Sequence, residues 1–270
     1  MTDATQVFHD IAAIREKNPL VLSITNYVVT NTTANALLAL GASPIMSHAA
    51  EEMAELVAIS GALVINLGTV APEYLAAMDP AWAAADEAGV PVILDPVGAG
   101  ASMLRTVTPL ALLANHKAAI VRGNASEIMT LAGASCASAG ASKGVDSTAR
   151  SLDAAGCAQD LARRLDCVVV VSGEVDLVCS AQGCARVFGG SALMPRVTGL
   201  GCTATALCGA FAAVNPDPFA AALSACVTMK VAGELAAEKS AGPGTLQLHF
   251  YDALYALNEA DLATRLRLER

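Results

Sequence analysis

The chain has 270 residues, 54% apolar and only 15% charged, with 16 Lys+Arg against 25 Asp+Glu for a net charge of −9. That balance excludes disorder, which needs low hydrophobicity and high charge. It also leaves no basic cluster to neutralise nucleic-acid phosphates.

Residues 1–18 carry neither a basic leader nor an uninterrupted apolar stretch, so no secretory signal is expected. Apolar periodicity predicts a helix over 5–17, then a strand over 20–24, a helix over 30–40 closed by Gly41, and a short strand over 44–46. A helix over 50–60 leads to a strand over 63–67 and a helix over 72–88 with a break near Pro80. A strand over 91–95, a helix over 102–114, a strand over 118–122 and a helix over 125–131 follow. Residues 133–148 read as a flexible loop, 151–165 as a helix and 167–171 as the most strand-like run. A hairpin joins 176–179 to 185–188, and helices close the chain over 202–214, 218–239 and 245–258. The longest uncharged run, 197–216, is too rich in Gly and Thr for a spanning helix and reads as a buried one, so no membrane segment is expected. The eight cysteines, without a CxxC pair, are expected as free thiols in a reducing cytoplasm.

Alternation of this kind predicts an α/β fold: one domain over 1–270 with a mainly parallel central sheet and helices on both faces. Ligands of such sheets gather at the carboxyl ends of the strands. There the sequence places Asn26, Asp95 with Gly98 and Gly100 behind it, Arg122 and Ser172. Gly199-Leu-Gly201-Cys202 opens a helix, where turned N–H groups and the helix dipole can hold an anion. The same position should lower the Cys202 thiol pKa.

Each feature has a plainer alternative. Asp95 and Glu127 could hold Mg²⁺ through two carboxylates, or Glu127 could only complete a capping box with Asn124. Arg122 could grip phosphate or make a surface ion pair, Ser172 could touch a nucleotide or form a turn, and Met46 could line a pocket or fill the core. His9, His48, His116 and His249 show no metal-ligand spacing.

The ordered set ITNYVVTNTTANALLALGASPIMSHA, ILDPVGAGAS, VRGNASEI, VVVVSGEVDLV and VTGLGCTATAL resembles the hydroxyethylthiazole kinases of thiamine salvage over residues 18–215. The resemblance implies a ribokinase-like fold and a homotrimer with active sites between subunits. It implies transfer of the ATP γ-phosphoryl group to 4-methyl-5-(2-hydroxyethyl)thiazole with Mg²⁺. Met46 and Asn26 then match the thiazole pocket, and Gly199 a thiazole-side main-chain contact. Asp95 and Glu127 match the magnesium-side acids, Arg122 and Ser172 the ATP contacts, and Gly201 with Cys202 the anion-binding turn. Many ribokinase-like kinases carry an aspartate base where this chain has Cys202. The rivals are a kinase of another alcohol such as hydroxymethylpyrimidine, an acyl-transfer enzyme with Cys202 as nucleophile, and a nucleotide-binding protein without turnover.

Overall fold

The computed structural model describes residues 3–133 and 147–270. Six parallel strands form the body of one sheet: β1 (Leu20–Ile24), β2 (Ser43–Met46), β3 (Ala62–Asn66), β4 (Val92–Asp95), β5 (Ile120–Asn124) and β6 (Val168–Ser172). An antiparallel tail of β7 (Asp176–Ser180), β8 (Gly183–Phe188) and β9 (Arg267–Glu269) completes the order β2-β1-β3-β4-β5-β6-β7-β8-β9. The predicted α/β architecture is therefore present.

Why the strands read as continuous apolar runs follows from the pleat. Val168 and Val170 point into one buried cluster while Val169 and Val171 point into the other. Each valine so buried contributes about 1.5–3 kcal/mol. One face is covered by α1 (Ala4–Lys17), α2 (Thr30–Leu40), α8 (Leu200–Ala212), α9 (Pro218–Glu238) and α10 (Pro243–Ala256). The other carries α3 (Met53–Ala58), α4 (Pro72–Ala88), α5 (Met103–Asn115), α6 (Ala125–Ala132) and α7 (Ser147–Leu165). A last helix, α11 (Glu259–Arg265), leads into β9.

Several boundaries differ from the periodicity. α4 runs unbroken through Pro80, which is exposed, as is Ala76 one turn earlier, so the carbonyl freed by the proline can bond water. The fifth strand lies two residues later than expected, because its ladder with β6 continues beyond the apolar run and pairs Asn124 with Ser172. α7 begins at Ser147, and 134–146, the bulk of the expected loop, lie outside the described residues. One helix among the described residues, α9, is long and apolar enough to cross a membrane, but 78% of its apolar window is buried inside the fold.

The expectation of free thiols is corrected. Antiparallel register sets Cys179 opposite Cys184 with Cα atoms 4.1 Å apart, and the two form a disulfide. Cys157 is also disulfide-bonded, whereas Cys167, Cys202, Cys208 and Cys226 are free.

Candidate active site

Because β1 to β6 are parallel, their carboxyl ends share one rim. Asn26 follows β1, Met46 ends β2, Asn66 ends β3, Asp95 ends β4, Asn124 ends β5 and Ser172 ends β6. α8 packs across β1, β3, β4 and β5 and brings its N-terminus to that rim. Gly199 caps it with φ of 86°, a left-handed conformation that L side chains rarely adopt, and a Cβ there would stand 2.7 Å from Val29 Cγ1. Thr203 is bonded to the Gly199 carbonyl at 2.8 Å, so the N–H groups of Leu200, Gly201 and Cys202 precede the helical ladder. Gly201 is exposed and Cys202 half-buried, so this corner opens outward.

Beneath it runs a buried polar chain. Asn26 Nδ2 donates to Asn66 Oδ1 at 2.9 Å and to Cys202 Sγ at 3.6 Å. Asn66 Nδ2 donates to Asp95 Oδ2 at 2.8 Å, and the Thr205 hydroxyl donates to the same oxygen at 2.7 Å. Asp95 is 2% exposed, and burial pushes its pKa up to about 6, opposed by Arg122, reinforced by Glu127 and opposed again by the Thr205 and Asn66 hydrogen bonds. The Arg122 guanidinium lies so close under α8 that a Cβ on Gly201 would be 3.1 Å from its Nη1. Burial works against its charge, but Asp95 and Asp176 outweigh that and raise its pKa. Arg122 is 9% exposed, yet among the described residues its side chain makes neither a hydrogen bond nor an ion pair.

The thiol expectation reverses. Burial, then the charge of Asp95, push the Cys202 pKa up to about 11 against the hydrogen bonds of Asn66 and Asn26 and the charge of Arg122. The helix terminus does not overcome that loss of solvent, and Cys202 is a neutral thiol at pH 7. Its hydrogen-bond partners are amides. The four histidines engage other groups: His9 faces Asp10, His48 stacks on Tyr74, His116 bridges Asp79 and Asp86, and His249 faces Asp252. The acyl-transfer reading, which needs an activating histidine, has no geometric support.

Glu127 does complete the capping box. Its Oε2 accepts from Asn124 N–H at 2.8 Å, the Asn124 side chain accepts from Glu127 N–H at 2.9 Å, and Oε1 accepts from Gly98 N–H at 2.8 Å. Arg122 is not a surface ion pair. Ser172 sits in the ladder beside Asn124 and donates to the Gly123 carbonyl at 3.3 Å. Met46, half-buried on the edge strand, packs against the core.

Several residues at this rim are not among those the sequence singled out. Arg105 on α5 donates to the carbonyls of Leu67, Gly68 and Val97, clamping the turns after β3 and β4 together. Gly98 leaves room for it, with φ of 79° and a Cβ position 2.8 Å from Arg105 Cδ. Lys230 on α9 is 7% exposed, pairs with Asp176 at 3.2 Å and donates to the carbonyls of Gly173 and Glu174, fixing the turn after Ser172. Asn66 and Thr205 complete the group; the lone polar residue in the apolar run of β3 pointed to Asn66, and Thr205 lies within the VTGLGCTATAL run without having been singled out there.

The pattern of the hydroxyethylthiazole kinase family matches residues 11–260. The chain belongs to that family. It is 55% identical over the full length of both chains to the hydroxyethylthiazole kinase of Nitratidesulfovibrio vulgaris strain Miyazaki F. It is 49% identical to that of Aliivibrio salmonicida, covering 97% of each. Among solved structures, a hydroxyethylthiazole kinase protein from Pyrococcus horikoshii OT3 superposes with a TM-score of 0.89 at 39% identity, covering 98% of both chains. The fold is ribokinase-like: a ribokinase-like superfamily protein from Enterococcus faecalis aligns over 97% of this chain and 90% of its own, with a TM-score of 0.62 at 13% identity.

Proposed function

We propose that this chain, acting as a single kinase domain, transfers the γ-phosphoryl group of ATP to the hydroxyl of 4-methyl-5-(2-hydroxyethyl)thiazole, a step of thiamine salvage. The observation that carries the reading is the outward-facing Gly199–Cys202 corner set over a buried arginine whose guanidinium N–H groups donate to no protein acceptor among the described residues. Together they form an anion site whose N–H donors are unspent. Membership of the family supplies the acceptor.

Phosphoryl transfer passes through a loose transition state, so positioning and charge neutralisation outweigh proton abstraction. The N–H groups of Leu200, Gly201 and Cys202 face the moving phosphoryl oxygens, and Arg122 balances the triphosphate. Ser172, on the strand beside Arg122, serves the nucleotide side, with Lys230 holding its turn. Asn26, Met46 and the Gly199 main chain serve the thiazole side. The donor set fits Mg²⁺ held chiefly by phosphate oxygens and water, because Asp95 Oδ1 stands outside the hydrogen bonds of its partner oxygen. Glu127 adds negative charge nearby, although both its oxygens already accept main-chain N–H groups. Among the described residues no cluster of three His, Cys, Asp or Glu side chains could cage a metal alone. When bound, the ion would offset phosphate charge.

We read the quaternary state as a homotrimer with sites between subunits. Met103, Leu104, Val107 and Leu110 leave an apolar stripe open on α5, and Tyr27 and Val28 beside Asn26 are 72% and 60% exposed.

Incubation of the purified protein with ATP, Mg²⁺ and the thiazole alcohol should yield the alcohol monophosphate; parallel incubation with hydroxymethylpyrimidine separates the rival acceptor. Since Cys202 is a thiol at neutral pH, it orients the acceptor more than it deprotonates it. Cys202→Asp is therefore expected to match or exceed the parent, and Cys202→Ala to retain turnover within about 10²-fold, the lower end of what general-base assistance supplies. Complete inactivity of the alanine variant with ATP binding intact would overturn the weak-base role.

A further inference from the structure

The polarity of the buried chain is fixed at one point. The Gly68 N–H, which can only donate, lies 2.9 Å from Asn66 Oδ1. That oxygen must therefore be the acceptor end of the amide, and Asn66 Nδ2 must be the group that faces Asp95 Oδ2. The same oxygen takes Asn26 Nδ2, so Asn26 turns its N–H side toward both Asn66 and Cys202 Sγ. Asn66 is 1% exposed and Asn26 5%, so neither amide can exchange these partners for bulk water.

We infer that Asn66 is the positioning residue of the site, its main-chain-locked amide holding Asp95 on one side and, both directly and through Asn26, Cys202 on the other in a single register. The inference rests on the phosphotransfer reading only for what the register serves. Asn66 touches no reacting atom; it sets where the carboxylate and the thiol stand relative to the corner of α8. Its loss should lower kcat far more than it changes the KM for ATP, whose contacts lie on β5 and β6.

The experiment combines kinetics with an activity-independent probe, alkylation of Cys202 by iodoacetamide followed on the peptide that carries it. Asn66→Ala and Asn26→Ala are each expected to cut kcat about tenfold or more, with the KM for ATP within about twofold. Each should also slow alkylation about threefold or more, and the double variant should be no worse than the single ones, as for residues of one network. Multiplicative effects in the double variant, or alkylation at the parental rate in Asn66→Ala, overturn the proposal. If Asn66→Ala does not fold, Asn66→Ser, which offers a hydroxyl oxygen to the Gly68 N–H but is too short to reach Asp95 and Asn26 together, is measured in its place and should show the same losses of kcat and alkylation rate. Alkylation at the parental rate in that variant would equally overturn the proposal. Failure of the parent to phosphorylate the thiazole alcohol strikes the functional reading alone, because the alkylation comparison still decides the coupling.

Discussion

Asp95→Asn gives a protein that melts above the parent at pH 8 and is almost inactive. Asp95 titrates near 3.8 when unfolded and near 6 in the folded chain, where burial disfavours its charge. Between those values the folded state binds more protons than the unfolded state, so stability falls as pH rises through the window of about 4 to 6. Above it the ionised carboxylate costs about 3 kcal/mol, reduced in the comparison by what Arg122 loses when its anionic neighbour is neutralised. Asparagine keeps an oxygen where Asn66 and Thr205 donate. At about 2–4 °C per kcal/mol for a chain of this size, the gain is a few degrees. Melting curves from pH 4 to 8 should show the two proteins converging at the acid end and separating by pH 6. Turnover should drop about 10²–10³-fold, as when a preorganised charge is removed from a transition state. A parent that melts above the variant at pH 8, or a variant with parental turnover, refutes this account of Asp95.

Arg122→Gln should lose about 10²–10³-fold in kcat/KM for ATP while folding normally. The arginine is buried without a hydrogen-bonded protein partner, so its five donors are available to phosphate, and removing it strands no acceptor. A second effect follows from its charge. Arg122 is the chief group holding the Asp95 pKa down, so in the glutamine variant the acid limb of the kcat profile should move to higher pH. Arg122→Lys should recover only part of the loss, because a point charge replaces a planar fork. Parental kinetics in Arg122→Gln would remove the arginine from the phosphate side.

The parallel body of the sheet was legible because strands buried on both faces must be apolar throughout, and β1, β3 and β6 show that directly. β9 and α11 were not: three residues of strand and seven of helix carry too little period to stand out, and their place depends on pairing with β8. At the site, Asp95, Arg122 and the Gly199–Cys202 turn were visible as polar or glycine residues following apolar runs. Their surroundings were not. The thiol of Cys202 was placed on the wrong side of its normal pKa because a helix terminus can be read from sequence, whereas the depth at which the sulfur lies cannot. Likewise Thr205 gains its role from standing one turn beyond Gly201 above Asp95, and Lys230 from a helix crossing behind β6 and β7. Both are distances across the fold that no spacing encodes.

The two halves of the rim differ in how freely they can change. Asp95 is wired to β3 by Asn66 and to α8 by Thr205, so any substitution there that removes the accepting oxygen disturbs three elements at once. Met46 sits on the outermost strand, whose four residues are all half-buried. Drift toward a new acceptor alcohol therefore has an inexpensive route through the sheet edge, where side chains can be exchanged without retuning the phosphoryl machinery at the centre.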